Sequence, residues 1–209
     1  MSYHDEQENL DELKAWWAKW GNAVTWILLV VLVALAAWSG WNYWQRRQTG
    51  EAVVLYEQFQ QAAASNDVAH VRRTASDMES DFGRTPYAQM TALGAAATLY
   101  KAGDTTGAKA QLQWIIDHAA DDAYRQIAQI RLAGVLLDEK SYDAGLKLVS
   151  STDKDAFAAL RADRRGDLLT AQGKTDDART AYKSALTLLA TDDASEHQLI
   201  GLKLDALGG

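Results

Sequence analysis

The residues of this 209-residue chain that could do chemistry are few and scattered. There is no cysteine, which excludes disulfides, thiolate catalysis and cysteine-type zinc sites. The four histidines, His4, His70, His118 and His197, lack metal-ligand spacing. His118 stands near Asp117, Asp121 and Asp122 and could join them around a cation; a solvated turn is the better reading. Asp163-Arg164-Arg165-Gly166-Asp167 could hold an anion; the better reading pairs its charges across adjacent helices while Gly166 packs. No Gly-rich phosphate loop and no nucleophile elbow occurs. The expectation is therefore no catalytic residue, no cofactor, no metal and no enzymatic activity.

The elements that carry these residues read as helices in repeating pairs. In GKTDDARTAYKSAL, Gly173 ends one helix and Asp176 and Asp177 open the next. Ala178, Tyr182 and Ala185 then share one face. With Gly166 twelve residues before Ala178, they form the small–small–aromatic–small skeleton of a tetratricopeptide repeat. Small residues let crossing helices approach, and the aromatic fills the space to the next unit. Upstream, Ala96, Ala108, Leu112 and Ile115 occupy equivalent places, with Gly103 in the turn. Ala133, Ala144 and Leu148 do so with a turn one residue shorter. Ala108, Ala144 and Ala178 are spaced at 36 and 34 residues, the period of such a repeat. Thr85-Pro86 predicts a helix start. Residues 51–82 add a divergent pair through Val54, Leu55 and Phe59, then Val68, Val71 and Met78. Glu196 to Leu207 reads as a capping helix. Tyr87, Tyr124 and Arg125 fall on first-helix positions and are the candidate partner contacts; core packing is an equal reading for the two tyrosines.

Seven of the eight tryptophans lie between Trp16 and Trp44. No charged residue occurs between Lys19 and Arg46, and Ala23 to Ala37 is almost purely aliphatic. About 19–22 such residues make a helix of roughly 28–33 Å, the hydrocarbon thickness of a bilayer. Trp16, Trp17, Trp20 and Trp26 form a belt at one end; Trp38, Trp41, Tyr43 and Trp44 form one at the other. Amphipathic rings prefer the headgroup level, so the two belts predict a membrane-spanning helix at 23–44. The acidic N-terminal segment and the length of the run argue against a cleaved signal peptide. Ala36 and Gly40 give a small-xxx-small pair for contact with another helix. Asn9-Leu10-Asp11-Glu12 predicts an N-cap opening a short amphipathic helix at the bilayer surface within residues 1–22. Lys14 and Lys19 before the span balance Arg46 and Arg47 after it, so charge does not choose an orientation.

Residues 45–209 suffice for one well-cored domain. After Arg47 the chain carries 17 basic and 23 acidic side chains, with no basic stripe, which argues against nucleic-acid binding. One proline and abundant alanine fit an all-α fold, a single transmembrane helix followed by a divergent tetratricopeptide-repeat solenoid.

An acidic, aromatic-ended N-terminal tail, a span closing in Gly40-Trp41-Asn42-Tyr43-Trp44, and the stretch Ala162-Asp163-x-Arg165-Gly166-Asp167 together resemble the YfgM-like proteins. The likeness extends through TALGAAATLYKAGDTTGAKAQLQ and IRLAGVLLDEKSYDAGLKLV and covers nearly the whole chain. That family comprises ancillary subunits of the bacterial Sec translocon. The resemblance implies an inner-membrane protein with a cytoplasmic N-terminus and a periplasmic repeat domain. It implies partnership with translocon subunits, with a membrane-anchored periplasmic chaperone of prolyl-isomerase type, and with exported polypeptides during handover to chaperones. A role in envelope-stress signalling is the alternative it carries. It brings no catalytic residues.

Overall fold

The computed structural model describes residues 3–189 and 193–208. Among them the elements are helices: α1 (Tyr3–Ala64), α2 (Val68–Phe82), α3 (Pro86–Lys101), α4 (Thr105–His118), α5 (Asp122–Asp138), α6 (Tyr142–Leu148), α7 (Ala158–Ala171), α8 (Thr175–Leu188) and α9 (Ala194–Ala206). The fold is all-α. The chain divides into two compact units, one up to Glu51 and one from Ala52.

In the first unit α1 runs unbroken through Asn9, so Asn9 is not an N-cap. The residues before it are compatible with a helix, and propagation through them outweighs the local capping signal. The composition changes at 22/23 and 44/45 likewise leave the backbone uninterrupted. The eight belt residues are all exposed, from 47% at Trp44 to 72% at Tyr43. So are Ile27 to Val33 and Leu35. These eight aliphatics leave on the order of 10 kcal/mol of burial unrealised, comparable with the net stability of a whole domain. A stretch this long, apolar and wholly unburied is not the core helix of a soluble domain. Its hydroxyl at Thr25 donates back to the Gly21 carbonyl at 2.8 Å, so that group needs no water.

Among the described residues the second unit holds four helix pairs and a terminal helix, and each pair closes through one backbone device. Asn66, Gly103, Lys140 and Gly173 have φ of 55°, 82°, 60° and 77°, the left-handed conformation past a helix end. The next N–H returns to a carbonyl five residues back: Asp67 to Ala62, Asp104 to Leu99, Ser141 to Leu136 and Lys174 to Leu169, at 2.8–2.9 Å. This is a Schellman closure, which glycine adopts freely and Lys140 adopts at a cost. Asp67 and Asp104 then cap the following helix, accepting from the N–H groups of His70 and Gly107 at 3.0 Å. Thr85 is the N-cap residue of α3 with Pro86 behind it, as expected. Its hydroxyl, however, donates back to Phe82 at 2.8 Å instead of capping α3.

Seven residues before each left-handed turn stands the residue where the paired helices cross: Phe59, Ala96, Ala133 and Gly166. Sixteen residues further on stands its partner: Ala75, Leu112, Val149 and Tyr182. The first three pairs share hydrophobic clusters, and Gly166 lies under the Tyr182 ring. A Cβ on Gly166 would stand 2.6 Å from Tyr182 Cδ1. Large meets small in the first pair, small meets large in the last.

The expected packing positions Ala96, Ala108, Ala133, Gly166, Ala178, Tyr182 and Ala185 are all buried. Ala144 is not; it is exposed, and Gly145 is buried in its place. Val149, 1% exposed, likewise outranks half-buried Leu148. Gly145 lies twelve residues after Ala133, as Ala108 does after Ala96 and Ala178 after Gly166. The turn is therefore not shortened. A Cβ on residue 145 would come within 2.8 Å of Leu168 Cδ2, so glycine fills the role read onto its neighbour. Val54 is also exposed, whereas Phe59, Val71 and Met78 are core.

α6 stops after seven residues, where Ser150-Ser151-Thr152-Asp153 compete for backbone bonds. The missing turns are replaced by a pinned loop. Arg161, 3% exposed, donates to Gln126 Oε1 at 2.5 Å, Asp155 Oδ1 at 2.9 Å and the Asp153 carbonyl at 2.6 Å. The Arg161 bond is the main cause holding the Asp155 carboxyl below its usual range.

Candidate functional site

Residues two before and one after the last three crossing positions form a second repeated set. They are Gly94 and Ala97 on α3, Arg131 and Gly134 on α5, and Arg164 and Asp167 on α7. Five of the nine residues lining a groove of about 390 Å³ are Ala97, Arg131, Gly134 and Arg164 from this set, with Tyr100 one turn beyond Ala96. Ala96, Leu112 and Val135 give its apolar floor, and Asp138 its one acid.

The groove's shape follows from its small residues. Along α5, Arg131, Gly134 and Asp138 lie on one face at spacings of three and four. Arg164 reaches across from α7, and its guanidinium carbon would stand 3.3 Å from a Cβ on Gly134. Glycine at 134 is what lets that guanidinium lie against α5. One Arg164 nitrogen pairs with Asp167 at 3.2 Å, while its Nε is buried without a partner. Tyr100 donates its hydroxyl to Asp138, and that bond is the main cause raising the Tyr100 pKa. No ion pair or hydrogen bond among the described residues engages the Arg131 side chain, which is exposed.

The two acids of the charged run around Gly166 pair across to α9, as the pairing reading expected, while Arg164 pairs within α7 with Asp167. Lys203 on α9 bonds Asp163 and Asp167 at 2.8 Å and lies 5.7 Å from the Tyr182 ring centre. Tyr182 donates to Asp167 at 2.9 Å. Burial pushes the Asp163 carboxyl and the Tyr182 phenol up. Burial opposes the Lys203 charge, but its bonds to both aspartates outweigh this and raise its pKa.

The three candidate contacts fall elsewhere. Tyr87 is half-buried, its ring 5.5 Å from Tyr56. Tyr124 is half-buried against the cluster of Leu112 and Ile115. Arg125 bonds Asp122 at 2.6 Å and the Ala119 carbonyl at 2.7 Å, which fastens the loop before α5. His118 stacks on Trp114 with ring centres 5.0 Å apart and bonds the Trp114 carbonyl. Among the described residues no three His, Cys, Asp or Glu side chains converge to hold a metal. Tyr100, Arg131, Gly134 and Asp138 escaped the sequence reading, which met Arg164 only within the charged run 163–167. Only Arg131 and Arg164 share an offset, each two residues before its crossing residue.

The comparisons extend over the whole architecture. The family model described as a tetratricopeptide repeat-like domain matches residues 14–209. A protein of Neisseria gonorrhoeae (strain ATCC 700825 / FA 1090), named "Ancillary SecYEG translocon subunit", is 28% identical over 209 residues, covering 99% of this chain and 100% of its own. A protein of Escherichia coli (strain K12) bearing the same name is 26% identical over 194 residues, covering 93% of each chain.

Proposed function

Because the chain belongs to the tetratricopeptide repeat-like domain family, we propose that it is a non-enzymatic interaction protein that works at the Sec translocon. The observation that carries this is the end-to-end similarity to two relatives named as ancillary translocon subunits, span and repeats included. The apolar stretch of α1 anchors the protein in the inner membrane. Its exposed aliphatics and two aromatic belts support that reading. The open Gly40 position, with nothing within 4 Å of a Cβ there, suits lateral contact with another span. The N-terminus is cytoplasmic and the repeats are periplasmic. There the α3–α5–α7 groove holds a partner: a periplasmic chaperone of prolyl-isomerase type, or an exported chain on its way to one. Anchoring raises the local concentration of that groove at the export site.

Two experiments test this. A single cysteine replacing Ser2 or Ser195 is labelled in cells with a permeabilised outer membrane, using a maleimide that does not cross the inner membrane. Labelling at 195 alone is expected; labelling at 2 alone puts the repeats in the cytoplasm and ends the handover reading. A photocrosslinker at Ala97 in intact membranes is then expected to capture translocon subunits, chaperones or exported chains. Capture of a signalling protein with none of these would favour the envelope-stress alternative.

A further inference from the structure

From the residues between the Trp44 belt and the first core position we infer that α1 hinges at Gly50, so that the repeat unit tilts about its anchored helix. The inference rests on the proposed reading of the apolar stretch of α1 as a membrane span.

The repeat register carries it. Nine residues before the crossing positions Ala96, Ala133 and Gly166 stand Tyr87, Tyr124 and Phe157. Each is half-buried where α3, α5 or α7 begins, and fastens that end of its helix. Tyr87 lies against Tyr56, Tyr124 against the cluster of Leu112 and Ile115, and Phe157 against that of Ile130 and Leu168. Nine residues before Phe59, the same place in α1 holds Gly50. Among the described residues nothing stands within 4 Å of a Cβ there. The first repeat therefore lacks the aromatic fastening of the other three, and its core begins only at Ala52, which is fully buried beside Met78 and Ala88.

The connecting turns are weak for a second reason. Arg47, Thr49 and Glu51 are exposed, so this part of α1 rests on its backbone bonds and on local pairs. Arg47 and Glu51 pair at 2.9 Å, but both side chains are more than half exposed and the pair adds little. The Thr49 hydroxyl donates to the Gln45 carbonyl at 2.9 Å, a back-bond that slightly destabilises and bends helices. Glycine is the poorest helix former after proline.

Gly40 supplies the contrast. A Cβ there is equally open, yet in hydrocarbon every backbone group has to keep its helical partner. Gly50 lies six residues past Trp44, about 9 Å along a helix, where water replaces a broken backbone bond. The same residue type is therefore locked at 40 and free to open at 50.

The test uses the full chain in nanodiscs, with hydrogen exchange read at the amides of residues 51–54 and 56–62. The first set is expected to exchange about tenfold faster than the second, since opening at Gly50 breaks its bonds alone. Gly50→Ala is expected to slow the first set about fivefold, the equivalent of the roughly 1 kcal/mol by which glycine disfavours a helix, and to leave the second unchanged. Gly50→Tyr, which restores the aromatic of the other three repeats, should slow it further. Spin labels on cysteines replacing Gln45 and Ser195 report the tilt. Their distance distribution is expected to narrow from the native chain to Gly50→Ala to Gly50→Tyr, while that between labels at Lys101 and Ser195, both inside the repeat unit, keeps its width. Uniform exchange across 51–62, or a distribution between 45 and 195 that is equally wide in all three chains, overturns the hinge and leaves α1 a rigid strut. Tryptophan quenching by brominated lipid is read on the same samples. Its absence overturns the span and the inference with it; quenching together with uniform exchange overturns the hinge alone.

Discussion

The first and last helix pairs of the repeat unit make the same crossing with opposite side chains. In the first, Phe59 occupies the crossing position of the leading helix and Ala75 faces it. In the last, Gly166 takes that position and Tyr182 covers it. The second pair, Ala96 with Leu112, and the third, Ala133 with Val149, lie between these extremes. What the repeat preserves is the shared volume at the crossing, since interiors are packed to crystal-like density and neither helix has to supply a particular side. The two ends differ in what they ask of their neighbours. Phe59 needs space beyond its own pair, and Gly94 provides it: a Cβ there would stand 2.7 Å from Phe59 Cζ. Tyr182 needs a partner for its hydroxyl and finds Asp167, which Lys203 holds in place.

The sharpest way to break the comparison is to empty either crossing. Tyr182→Ala and Phe59→Ala are each expected to cost about 3–5 kcal/mol, read as a shift in urea unfolding of the detergent-solubilised chain. Hydrogen exchange should locate the loss in α7–α9 for the first and in α1–α3 for the second. An overpacked crossing comes next. Gly166→Ala and Gly94→Ala are each expected to cost about 1–3 kcal/mol. Adding Tyr182→Leu to Gly166→Ala recreates the Ala–Leu pair of the second repeat. The double variant should be more stable than the sum of the singles by about 1 kcal/mol. Strict additivity would mean that volume is not shared across the crossing.

Smaller effects separate the turns. Gly173→Ala is expected to destabilise by about 1 kcal/mol, and Lys140→Gly to stabilise by a similar amount, because both sites hold the left-handed conformation. Thermal melts of both variants check the opposite signs. The smallest expected effects are in pH dependence. The Gly107 N–H, and then Arg72, hold the Asp104 carboxyl below 3.8. Its stabilising contribution is present above that value and is lost as pH falls through the lower folded value. Burial pushes Asp163 above 3.8, so its contribution is full below 3.8 and is lost as pH rises through the raised value. Unfolding midpoints measured between about pH 3 and 6 should flatten on the acid side in Asp104→Asn and on the upper side in Asp163→Asn.

Much of this was legible residue by residue. The twelve-residue interval from Gly166 to Ala178 and the turn at Gly173 are local features, and they located the last pair correctly. The third pair misled because an alanine lies beside the glycine that does the packing. A small residue one place away matches a pattern of residue types, and only burial separates Ala144 from Gly145. The groove was illegible for another reason. Arg131 and Arg164 are separated by 33 positions, and nothing local says that Gly134 leaves space for a guanidinium from the next pair.

The sequence by itself determined the elements whose physics is local. These are the apolar run with its aromatic belts, the helix pairs, and the left-handed turns at Gly103 and Gly173. Each depends on the length, periodicity or backbone freedom of neighbouring residues. The tertiary structure alone decided what depends on separate helices meeting. It chose Gly145 over Ala144, set Phe59 against Gly94, and pinned the loop after α6 with Arg161. It also tied Asp138 to Tyr100 while leaving Arg131 uncommitted. Those outcomes turn on distances of a few ångströms between residues far apart in the chain, and steric exclusion and hydrogen-bond reach fix them only once the helices have packed.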